Sequence, residues 1–134
     1  MQLGFLTENI ADIEKASRLG FDSIELNTSA LGKAVEAPLD KDKIAQVEQL
    51  REQHAISITA LAYYDMAFNP PPSHVIATTY TRVFDAAERL GIHIIARMKD
   101  LGADDKFSIH LFIHRCHHDR WKATVLAVLS KNNE

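Results

Sequence analysis

The chain has 134 residues, 46% of them apolar and 25% charged, with a net charge of −3. This length fits one soluble globular domain. The acidic balance leaves no electrostatic footprint for nucleic acid or an anionic membrane surface, and no apolar run approaches the roughly 18 residues of a transmembrane helix. The single Cys116 forms no internal disulfide, and Met1-Gln2-Leu3-Gly4-Phe5 lacks the basic-then-apolar pattern of a secretory signal, so a cytoplasmic protein is expected.

In chain order, the apolar run from Gln2 to Thr7 reads as a first strand. Asn9 is placed to cap a helix with Asp12 in its first turn and Ile10, Ile13 and Ala16 on one side. Gly20 ends that helix, and Ser23 to Leu26 is the second strand. A loop follows from Asn27 to Leu39. Asp40 caps the next helix, whose buried stripe is Ile44, Val47 and Leu50. Ala55 stands where glycine would be expected at the helix end, a small cost if the site needs positive φ. Ile56 to Ala62 is the third strand. Three consecutive prolines, Pro70 to Pro72, then enforce a rigid loop. A helix opening at Ser73 carries the clearest amphipathic pattern, with Ile76, Tyr80, Val83, Phe84, Ala87 and Leu90 in register. Gly91 ends it, and Ile92 to Ala96 is the fourth strand.

Three of these junctions repeat one phrase: a helix end, a small residue, a short apolar strand. The small residues fall at 20, 55 and 91, spacings of 35 and 36. A crossover unit joining parallel strands needs about 30 residues or more. The order β-α-β-α-β-α-β thus predicts an α/β fold with a parallel sheet, either open and doubly wound or a barrel. The open form's usual nucleotide signature, G-x-G-x-x-G after the first strand, is absent.

Residues 1–96 resemble the N-terminal half of the sugar phosphate isomerase/epimerase family, the xylose-isomerase-like barrels. The resemblance rests on Leu3-Gly4-Phe5-Leu6-Thr7, on Ala16-x-x-Leu19-Gly20-Phe21-Asp22-Ser23-Ile24-Glu25-Leu26, on Ile56-Ser57-Ile58-Thr59-Ala60-Leu61-Ala62-Tyr63-Tyr64, and on Ala86-Ala87-x-x-Leu90-Gly91. It implies an incomplete (β/α) TIM-type barrel, about four parallel β/α units over 1–96, followed by a divergent tail over 97–134. It also implies metal-dependent aldose–ketose isomerisation or epimerisation of a sugar or sugar phosphate, through an enediolate or a hydride shift, with divalent Mn, Mg, Zn or Co. The family's metal ligands come from strands five to eight, and no residue here can be matched to them. A related barrel nuclease acting at abasic sites fits less well, because Tyr63 and Tyr64 stand where a metal-binding His would end the third strand.

A barrel's active site lies at the C-terminal ends of its strands. That rim contains Glu25, the paired Tyr63 and Tyr64, and Asn69, which become the candidate substrate-binding residues. By the same resemblance Glu25 faces the substrate mouth, accepting sugar hydroxyls or orienting other polar groups, with an ion pair inside the mouth as the alternative. Adjacent residues of a strand point to opposite sides, so only one tyrosine can face the barrel axis.

The tail departs from this grammar. Residues 1–96 carry 8 basic and 13 acidic groups, whereas residues 97–134 carry 7 basic and 5 acidic. Phe107, Ile109, Leu111 and Ile113 alternate with Ser108, His110 and His114 and read as a strand, and Asp119 can start a final helix. His110, His114, Cys116, His117, His118 and Asp119 cluster in sequence without a recognised zinc spacing. A frame-shifted or divergent end would explain the lost cadence, and an inactive remnant or binding module is then the alternative to an enzyme. Open sheet edges on a half-barrel predict self-association.

Overall fold

The computed structural model describes residues 2–64, 73–99 and 108–113. Its elements run β1 (Gly4–Thr7), α1 (Asp12–Arg18), β2 (Ser23–Asn27), a 3-10 turn (Thr28–Ala30), α2 (Lys41–His54), β3 (Ser57–Tyr63), α3 (Ser73–Arg89), β4 (Ile94–Lys99) and β5 (Ser108–Ile113). The sheet order is β1-β2-β3-β4-β5, with the first four strands mutually parallel. The α/β class and the parallel sheet expected from the repeat are both present.

Parallel crossovers are right-handed almost without exception, so a sequential order places every connecting helix on one face. The packing agrees. Ile13 and Ala16 from α1, Ile44 and Val47 from α2, and Val83, Phe84 and Ala87 from α3 share one core. Ile24, Leu26, Leu61, Tyr63 and Ile95, alternate residues of the strands, complete it. The intervening strand residues, including Gly4, Leu6, Glu25, Asn27, Ala60, Ala62 and Ala96, therefore project from the opposite face, against which none of α1, α2 and α3 packs.

The repeated phrase corresponds to one repeated geometry. At each junction the residue after the small one donates its N–H to a carbonyl five positions back: Phe21 to Ala16 (3.0 Å), Ile56 to Arg51 (3.0 Å) and Ile92 to Ala87 (2.8 Å). This is the Schellman closure, which needs a left-handed residue at its centre. Gly20 and Gly91 supply it at φ +78° and +62°, and Ala55 does so at +54°.

Other local signals resolve differently in detail. Asp40 caps α2 as expected, its Oδ1 accepting from the N–H of Asp42 (2.9 Å) and Lys43 (3.2 Å). Asn9 does not cap α1. Its Oδ1 instead accepts from Ala11 N–H (3.1 Å), an Asx turn ahead of a helix whose N-cap, Ala11, makes no side-chain bond. The loop after β2 contains the 3-10 turn. Between Ile24 and Glu25 the β2–β3 register shifts by one residue, leaving Thr59 as a bulge whose hydroxyl donates to the Ile24 carbonyl (3.2 Å).

Two arginines tie the helices to distant carbonyls. Arg51 of α2 donates to Leu90 O (2.5 Å), satisfying a carbonyl at the end of α3. Arg82 of α3 donates to Ala34 O (2.8 Å) and Val35 O (3.1 Å), pinning the loop that follows β2.

The alternation read over residues 107–113 corresponds to β5, which pairs antiparallel with the whole of β4, from Ile94↔Ile113 to Lys99↔Ser108. The outer edge of β4 is thus occupied, contrary to the expectation that a four-stranded sheet leaves it open. The helix expected from Asp119 lies outside the described residues.

Candidate functional site

Strand alternation decides which rim groups meet. In β2, Ile24 and Leu26 are fully buried on the helix side, while Glu25 and Asn27 are half-buried on the other. In β3, Leu61 and Tyr63 face the helices. Tyr63 is 0% exposed, and its ring packs edge-on against Tyr80 at 5.6 Å between centroids. Tyr64, one residue later, emerges on the opposite face, beside Glu25.

There its hydroxyl donates to Glu25 Oε1 at 2.7 Å. Two residues 39 positions apart in sequence are joined because the register sets Glu25 against Ala60 and Asn27 against Ala62, leaving Tyr64 beside them just past the strand end. Ala60, Ala62 and Ala96 on this face are small and buried. Glu25, Asn27 and Tyr64 reach solvent here, beside Leu6, which pairs with Glu25 in register and is 50% exposed.

The environment acts on Tyr64. Burial first, then the hydrogen bond to Glu25 and that carboxylate's negative charge, push its hydroxyl up to about 12 from an ordinary value of 10.0. It stays protonated and remains a donor to Glu25 across the physiological range.

A second set of polar contacts lines the ends of β1 and β2. Thr7 Oγ1 donates to Asp12 Oδ2 (2.6 Å) and accepts from Asn9 N–H (3.0 Å). Ser29 Oγ donates to Glu8 Oε2 (3.4 Å), and Asn27 Oδ1 accepts from Ser29 N–H (3.1 Å). These bonds fix the turns that follow β1 and β2.

Of the sequence-predicted site residues, the structure brings Glu25 and Tyr64 together and places Tyr63 in the core. Asn69 lies outside the described residues. Asn27 joins the pair's face, and its position two residues after Glu25 in a strand is the signal that identifies it. His110 is in β5, opposite Arg97 in register. The remaining tail histidines and Cys116 lie outside the described residues. Among the described residues, no three His, Cys, Asp or Glu side chains gather into a metal-binding group. No helix among them is long and apolar enough to cross a membrane.

Comparison with protein-family models, curated proteins and solved structures yields no match to this chain.

Proposed function

We propose that the first four strands and their helices are β/α units of a xylose-isomerase-like barrel, and that the protein is a sugar or sugar phosphate isomerase or epimerase. The sequential parallel order and the one-sided helices support the barrel reading, because barrel units repeat in that way. The observation that carries the functional reading is the Tyr64–Glu25 hydrogen bond, 2.7 Å long, on the sheet face opposite α1, α2 and α3 at the C-terminal ends of β2 and β3. A barrel binds its substrate at that end.

In this reading the pair binds and orients sugar hydroxyls. A bound divalent cation would polarise the hydroxyl and carbonyl oxygens of the reacting carbons. The described residues do not provide its ligand set, so those ligands belong to the rest of the chain or to a partner. The roles of Glu25 and Tyr64 stand independently of it.

The test is solvent-deuterium incorporation into aldoses, ketoses and their phosphates, followed by NMR with Mn, Mg, Zn or Co added to the full chain. Metal-dependent exchange or conversion, weakened in Glu25→Gln, is expected. No exchange and no conversion with any metal would remove the catalytic reading.

A second reading, a non-catalytic binding module or barrel remnant, is favoured by β5. This antiparallel strand sits where a barrel would place a fifth parallel one. It predicts sugar binding without turnover and no stoichiometric metal. Both readings leave β1 and β5 as sheet edges among the described residues, and β1 carries no charged side chain to discourage pairing. Self-association at micromolar concentration is expected on sizing, and a clean monomer would argue against it.

A further inference from the structure

Hydrogen-bond polarity at the candidate site restricts what can sit there. Tyr64 has one O–H and commits it to Glu25 Oε1. What remains on the pair is acceptor capacity alone: lone pairs on the phenolic oxygen and on the second carboxylate oxygen. Asn27 supplies the opposite polarity. Its Oδ1 is taken by Ser29 N–H, which orients the amide and leaves the NH2 group as donor. Glu25 and Asn27 are two residues apart on one strand face, a separation of roughly 6.6 Å along the strand.

We propose that Glu25, Tyr64 and Asn27 form a subsite for adjacent hydroxyls of a neutral sugar chain, and that any phosphate of the substrate binds elsewhere. A hydroxyl both donates and accepts, so one end of a diol can donate to Glu25 while its neighbour accepts from Asn27. A phosphate would bring further acceptors and negative charge against Glu25 and the Tyr64 oxygen, neither of which has a donor left to offer. A divalent cation lacks partners as well, since no third ligating side chain joins Glu25 among the described residues. This assignment rests on the carbohydrate reading above and narrows it to the unphosphorylated part of the substrate.

The full chain, labelled with 13C in its tyrosine rings, is titrated with the neutral ketopentoses xylulose and ribulose and, separately, with inorganic phosphate and with ribulose 5-phosphate. Tyr64→Phe identifies the Tyr64 resonance. Glu25→Gln is the informative variant, because glutamine can still accept the Tyr64 hydroxyl but presents an NH2 donor where the free acceptor was. The neutral sugars are expected to shift the Tyr64 resonance saturably, inorganic phosphate to leave it in place, and Glu25→Gln to weaken sugar binding about tenfold. Thermal melting checks that each variant folds. Should Glu25→Gln fail to fold, Asn27→Ala replaces it and is expected to weaken sugar binding without moving the Tyr64 titration.

Saturable sugar binding that leaves Tyr64 unmoved, or that is unchanged in the folded variant, would overturn the subsite and leave the carbohydrate reading standing. A saturable phosphate shift at Tyr64 would overturn the polarity assignment. If neither the neutral sugars nor ribulose 5-phosphate binds at all, the carbohydrate reading fails and the subsite with it.

Discussion

Replacing Ala55 with glycine is expected to stabilise the protein, the reverse of what glycine does inside a helix. Ala55 closes α2 in the left-handed region, at φ +54° and ψ +38°. An L residue with a Cβ is held there at a cost of about 1–2 kcal/mol. Glycine removes that cost but gives the unfolded chain more freedom, which offsets roughly 0.5–1 kcal/mol. The net gain is about 0.5–1 kcal/mol, or an increase of about 2–4 °C in melting midpoint for a domain of this size. The backbone bonds around the turn, Ile56 N–H to Arg51 O and Ala55 N–H to Glu52 O, are available to either residue.

The same junction in its other two copies supplies the reverse experiment. Gly20 and Gly91 lie at φ +78° and +62°, and an added Cβ at either meets nothing within 4 Å. Gly20→Ala and Gly91→Ala therefore isolate the backbone effect from any clash, and each is expected to lower stability by about 0.5–1 kcal/mol. The three variants are compared by urea unfolding, where the midpoints should move and the slopes stay constant. An Ala55→Gly midpoint that is unchanged or lower, with the two glycine variants also neutral, would refute the claim that the three junctions share a left-handed closure.

Gly4→Ala tests the close approach of β1 to β2. Its Cβ would lie 2.5 Å from Ser23 Oγ and 3.0 Å from Ser23 O, so a loss of about 1–3 kcal/mol is expected in urea unfolding, with partial recovery in Gly4→Ala/Ser23→Ala because only the hydroxyl is removed. Asp40→Ala deletes the α2 cap and should cost about 1 kcal/mol in the same assay, with Asp40→Asn retaining most of it. For Tyr64 the hydroxyl is raised from 10.0 to about 12 in the folded protein. Its contribution to stability is thus fully present below pH 10 and is lost as pH rises from 10 through 12, because the unfolded chain ionises first. Tyrosinate absorbance, with the Tyr64 component assigned by difference against Tyr64→Phe, should show Tyr64 titrating late and moving to lower pH in Glu25→Gln, and a Tyr64 component that does not move in that variant would contradict the Glu25 contact.

The helix ends were the most legible part of the chain, because the residues that close a helix act through their own backbone. Gly20, Gly91 and Asp40 do their work within five residues of where they stand. The amphipathic stripe of α3 was legible for a related reason: its period is set by the helix itself, and Ile76, Tyr80, Val83, Phe84, Ala87 and Leu90 are all buried. Pairings across the sheet were not legible in this way. Arg51 reaches a carbonyl 39 residues away and Arg82 reaches one 48 residues away, and nothing local marks either arginine. The Thr59 bulge carries no glycine to announce it. The choice between Tyr63 and Tyr64 was narrowed to one by alternation alone, but which one required the register that sets Glu25 against Ala60. Strand β5 was readable from its alternation, whereas its direction and partner were not.

That direction bears on how the sheet can grow. A parallel fifth strand would need a crossover of a dozen or more residues after β4. Only residues 100–107 separate Lys99 from Ser108, enough for an antiparallel return and too few for a further β/α unit. Once β5 is paired along β4 from Ile94 to Lys99, no other strand can add to that edge without displacing it. Sheet extension must then proceed from β1 or from the far side of β5. A partner completing a parallel barrel at the β4 edge would have to compete with a six-residue ladder already in place. Removing β5 should free the edge of β4. A chain ending after Lys99 that associates more strongly than the full chain would mark β5 as the element that keeps this edge closed. Equal association would place the contact at β1.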